Sequence, residues 1–121
     1  MSSSSFHADI LENGNWYERS ILDQLGNIGA EAGRAIQAKS INNPNKLEGA
    51  WHRMDELFCA TLRDARWRGT GKLRETLRAR EVTYSFLDDS NLYSETSESL
   101  ERYWMEWGIL ANQERREKRM K

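Results

Sequence analysis

LGNIGAEAGRAIQAK, residues 25–39, decides the fold. Leu25, Ile28, Ala32 and Ile36 recur at helical spacing, yet Gly26, Gly29 and Gly33 each cost about 1 kcal/mol against alanine inside a helix. At 100° per residue the three glycines and Ala30 fall on one flank of the apolar stripe, leaving a groove without side chains. A groove of that kind lets a second helix come close and recover dispersion contacts that a ridge of leucines would prevent. Gly26, Gly29 and Gly33 are therefore read as packing residues, with the tryptophans of the last helix as their natural fillers. A phosphate-binding role does not fit, because the dinucleotide fingerprint needs glycines at the first, third and sixth places after a strand.

Outward from this segment the pattern stays helical. Asn15 with Glu18 three residues later has the capping-box spacing, so the first helix is expected to run from Asn15 to about Lys39. INNPN (41–45) interrupts it, and Asn43-Pro44 suits an N-cap followed by proline in the first helical position. The next helix carries Leu47, Ala50, Trp51, Met54, Leu57, Phe58, Thr61, Leu62 and Ala65 on one face. It fades at RWRGTGK (66–72), and a third helix is expected from about Lys72 to Leu87. DDSNLYS (88–94) separates that helix from a last one, which starts near Thr96 or Ser97 with Leu100, Tyr103, Trp104, Trp107 and Ala111 on one side. No stretch alternates as a strand would. The expected fold is all-α: an antiparallel four-helix bundle forming one domain over residues 15–121, preceded by a flexible leader over residues 1–14.

The totals narrow the functional classes. The chain has 121 residues, 31% charged and 38% hydrophobic, with five Trp, four Tyr and three Phe, enough for one core. Its net charge of −1 disfavours a whole-surface polyanion binder. Cys59 is the lone cysteine and is read as a packing residue. With only His7 and His52 and no Cys cluster, no metal and no cofactor are expected, and no catalytic residues are assigned. RGTGKL (68–73) lacks the glycine a phosphate loop needs at position 66 and the hydroxyl at position 73. No apolar run reaches the roughly 18 residues of a membrane span, and the Ser-rich start lacks a signal-peptide layout. No membrane partner and a cytoplasmic location are the expectations.

Two surfaces remain. Around the third helix, Leu73, Thr76, Leu77, Arg80, Tyr84 and Leu87 form one stripe, and Ala79, Val82 and Phe86 lie nearly opposite. The second face must either be covered by a neighbouring element or lie exposed as a partner surface, and the latter is favoured, as self-association or a protein partner. Arg80, in the middle of the first stripe, requires a carboxylate if buried, with Asp55 the first candidate for that ion pair and Glu31 the second. Charge is also polarised: residues 63–80 hold seven basic against two acidic side chains, and residues 81–106 seven acidic against one basic. Arg63, Arg66, Trp67, Arg68, Lys72 and Arg74 could bind RNA through phosphate contacts and base stacking. The favoured reading is a non-enzymatic helical interaction or homodimerisation module, with the RNA-binding module as alternative.

LGNIGAEAGRA (25–35), AWHRMDELFCATLRD (50–64), LRETLRAREV (73–82) and the aromatic last helix together resemble a group of short prokaryotic all-helical proteins without an assigned activity, over about residues 20 to 110. The resemblance implies a compact helical domain and nothing about catalysis. In outline the chain also resembles helical bundles associated with RNA cleavage or toxin pairs. It departs from those with an Arg-polar-xxx-His signature, because no arginine precedes His52 at that spacing.

Overall fold

A computed structural model describes residues 15–120, and the leader expected at residues 1–14, with His7, lies outside them. The elements are α1 (Asn15–Glu18), α2 (Ile21–Ser40), α3 (Pro44–Leu62), a 3-10 turn (Ala65–Trp67), α4 (Gly71–Leu87) and α5 (Ser97–Arg119). The fold is all-α, with no strands among the described residues.

Local chemistry sets most of these boundaries. Asn43 caps α3 by accepting from the Lys46 amide, with Pro44 in the first turn. Thr96 and Ser99 form a reciprocal capping box at the start of α5. The first boundary differs from expectation: Asn15 and Glu18 belong to a separate turn, and Ser20 caps α2 by accepting from the Asp23 amide at 3.1 Å. The Trp16 indole is buried and donates to Thr61 Oγ1 at 3.1 Å. Its carbonyl, which would accept the residue-20 amide in an uninterrupted helix, accepts from the Gln24 side chain at 2.8 Å instead. Core burial of one tryptophan thus breaks the helix.

α2 is the central rod, with α3 and α5 on its two flanks and α4 across its inner side. Leu25, Ile28, Ile36, Met54, Phe58 and Leu100 form the fully buried core. Glycine lets α5 approach closely. A Cβ placed on Gly26 would stand 3.0 Å from the Ala111 Cβ, and one on Gly29 would stand 3.0 Å from Trp104 Cε3 and 3.3 Å from the Trp104 carbonyl oxygen. Gly33 differs from the sequence expectation. A Cβ there meets nothing within 4 Å: Gly33 lies on the same flank as Gly26 and Gly29, about one turn further along, where the depression beside Glu101 stays open. Gly33→Ala is therefore expected to stabilise the fold by about 0.5–1 kcal/mol through lower chain entropy in the unfolded state and better helix propensity, read as a higher denaturation midpoint in dilute solution.

The partner face expected on α4 is also corrected. Ala79 is buried, and Val82 and Phe86 are partly buried against the core, whereas Leu77, placed inward by the sequence reading, is 43% exposed. The reason is coverage from two directions. Trp104 donates to buried Thr83 at 3.0 Å from α5, and the Lys39 ammonium lies 5.6 Å over the Phe86 ring from α2. The second face of α4 is covered, and it is Leu77 of the first stripe that stands in water.

Candidate docking groove

Because α2 is flanked on both sides and crossed by α4 inside, its remaining side has no helix over it among the described residues. Ala30 is exposed there, beside Gly33. Between α2 and α3 this side opens into a groove of about 730 Å³, floored by Gly33, Gly49 and Ala50 and walled by Arg34, Lys46 and Arg53. Between α2 and α5 a second depression of about 400 Å³ shares Ala30 and Gly33 and is bordered by Glu101, Met105, Gly108 and Ile109. Met105 is 62% and Ile109 49% exposed, so the α5 border is an apolar ridge in water. One face therefore carries a smooth floor, a basic wall and an apolar ridge with a carboxylate at its end.

The basic wall is held in place from below. Glu31 is buried and accepts from Arg53 Nε at 3.1 Å, with Arg34 Nη1 at 3.3 Å. Sequence reasoning offered Glu31 as a partner for Arg80, but it faces α3 instead. Arg80 does meet Asp55, at 3.6 Å, yet the two side chains are 37% and 44% exposed, so the pair is a surface contact rather than a buried bridge. Arg80 reaches this position with its guanidinium over the Tyr84 ring at 4.8 Å, a cation–π contact at a partly exposed site. Tyr84 donates to the same Asp55 at 2.6 Å, and burial, reinforced by that bond, pushes the phenol well above its usual range. Burial likewise raises Tyr103, whose hydroxyl donates to Glu75. Both phenols act as neutral donors that tie helices together.

The segment proposed for RNA is built differently from a stacking platform. Trp67 is buried, and its indole N–H donates to Gln24 Oε1 at 2.9 Å. No face is left for a base. Arg66 grips Asp64 with two bonds, Nε to Oδ1 at 3.0 Å and Nη2 to Oδ2 at 2.7 Å, and its guanidinium covers the Trp67 ring at 4.4 Å. Arg63, Arg68, Lys72 and Arg74 are exposed cations, with the Lys72 ammonium 5.6 Å over the Trp67 ring. Only the electrostatic half of the sequence-based site survives.

Asp64 and Gln24 were missed as organising residues. Gln24 is fully buried and bonds the Trp16 carbonyl, Asp64 Oδ2 at 3.0 Å and the Trp67 indole, so one amide ties α1, α2 and the 3-10 turn together. Hydrogen bonding to the Arg66 side chain, with further donation from Gln24 and the Arg66 amide, holds the buried Asp64 carboxyl below its ordinary value of 3.8. A depressed folded-state pKa means that this stabilisation is complete above the unfolded value and disappears as pH falls below about 4 through the folded one. Asp64→Asn should accordingly show a shallower loss of stability between pH 5 and pH 2 than the parent chain, in denaturant titrations at each pH.

Among the described residues no group of His, Cys, Asp and Glu is arranged to hold a metal ion, and no helix is long and apolar enough to cross a membrane. Comparison with family models, curated proteins and solved structures gives no match for this chain.

Proposed function

We propose that this chain is a non-enzymatic helical interaction module whose working surface is the outer side of α2, with its grooves and the Met105–Ile109 ridge. The observation that carries this reading is Gly33: a glycine in the middle of the central helix, with nothing within 4 Å of its missing side chain, beside an open groove and two large exposed apolar residues. Monomeric proteins expose single apolar side chains routinely, but an apolar ridge set against a small-residue groove supplies both halves of a helix-packing contact. The Ala79, Val82 and Phe86 face is not available for this role.

The test is site-specific photocrosslinking in cells, with a photoreactive residue at Ile109 and a control at Leu77 on α4. A discrete adduct at Ile109, absent at Leu77 and lost when Gly33→Trp fills the groove, is the expected result. Tryptophan at that position extends into open space, so the fold is retained. No adduct at Ile109 above the level at Leu77 would overturn the reading.

A further inference from the structure

Resting on that reading, we infer that the occupant of the groove is a second copy of this chain, packed about a twofold axis that runs along α2. The two sides of the face are complementary to each other. On the α3 side lies the larger groove, with Arg34, Lys46 and Arg53 above a floor of glycine and alanine. The α5 side carries Met105, Ile109 and Glu101. A twofold axis along α2 sets the two central helices against each other at Ala30 and Gly33. It also turns the Glu101–Met105 stretch of α5 in each copy toward the near end of the α3-side groove of the other, so the same contact is made twice.

The contacts of α2 show that the charges would match in height. Glu31 meets Arg53 on one flank and Gly29 meets Trp104 on the other, so Arg53, Arg34 and Glu101 stand within about one helical turn, or 5.4 Å, along the axis. Glu101 of one copy then faces Arg34 and Arg53 of the other while Met105 meets the Ala30 and Arg53 end of the groove. The other way to pair these faces, with the central helices antiparallel, would set the basic α3 wall against itself. Like charges select the first arrangement. It also covers the exposed Met105, which the Gly29–Trp104 contact puts level with the Ala30 and Arg53 end of the groove.

Light scattering and sedimentation of the full chain over a concentration series test this directly. A mass twice the 14.1 kDa of the chain is expected. Met105→Asp should return the chain mass, with an unchanged helix signal and melting curve. Glu101→Arg and Arg34→Glu should each weaken the dimer by roughly tenfold or more, and the two together in one chain should restore it. Because Glu31 keeps Arg53, Arg34→Glu still folds; mixing it with the separately purified Glu101→Arg chain should give a hybrid dimer. A chain that stays monomeric while the Ile109 crosslinker captures a product of another mass would overturn the second copy and leave the interaction reading standing. A monomer with no adduct would overturn both. A dimer indifferent to Met105→Asp, or charge reversals without mutual rescue, would place self-association elsewhere and overturn this inference.

Discussion

Replacing Gly29 by valine is expected to destabilise the fold by about 2–4 kcal/mol, although the same change improves helix propensity by a few tenths. The first new carbon would stand 3.0 Å from the Trp104 ring and 3.3 Å from the Trp104 backbone oxygen, and a main-chain atom cannot swing aside as a flexible side-chain end can. α5 would have to move out as a unit. Movement of that kind stretches the 3.0 Å bond from Trp104 to Thr83, and Thr83 is fully buried, so its hydroxyl has no water to turn to. It also disturbs the edge-on contacts of Trp104 with Phe58 at 5.9 Å and with Tyr103 at 5.1 Å. Chemical denaturation monitored by tryptophan fluorescence measures the loss. A Gly29→Val chain within 0.5 kcal/mol of the parent would mean that α5 does not lie against α2 at this distance. The contrast with Gly33 is the useful control, since the same helix carries one glycine whose replacement should destabilise and one whose replacement should stabilise.

Gln24→Leu should cost about 2–4 kcal/mol, for a different reason. Leucine fills nearly the same volume but makes no hydrogen bonds. The Trp16 carbonyl still receives the Arg19 amide at 3.2 Å, and Asp64 keeps Arg66, so neither acceptor is abandoned. The Trp67 indole N–H, in contrast, loses its acceptor inside the protein. A double-mutant cycle isolates that orphan donor. Trp67→Phe removes the donor itself, so it should be less costly by about 1 kcal/mol or more in the Gln24→Leu chain than in the parent. Simple additivity of the two changes would show that the glutamine–indole bond contributes nothing.

The two variants also show what a single sequence reveals. Gly26, Gly29 and a tryptophan-rich last helix could be matched from spacing alone, since both signals are periodic. Gln24 gave no such signal, because a polar residue beside an apolar stripe reads as the edge of a solvated face. Its acceptors and donor come from positions 16, 64 and 67, in α1 and in the 3-10 turn with its cap. Trp67 was misplaced for the same reason: seven basic residues surround it in the chain, yet its indole is turned into the bundle. Of the groove, Gly33 was visible and Gly49 was not singled out. The pairing of two glycines across α2 and α3 was the available clue.

By itself the sequence determined the rods: caps at Asn43 and Thr96, breaks at residues 41–45 and 88–94, and the apolar stripes of α2, α3 and α5. These follow from interactions within three or four residues, which a linear text contains. Only the tertiary structure decided which side of each rod is covered: that the Ala79, Val82 and Phe86 flank of α4 is closed while Leu77 is exposed, that Trp16 ends a helix early, and that Gly33 faces an open groove while Gly29 holds a neighbour. Burial is a property of the space between rods, set by side chains 20 to 90 positions apart in the chain, and periodicity carries no information about which of them meet.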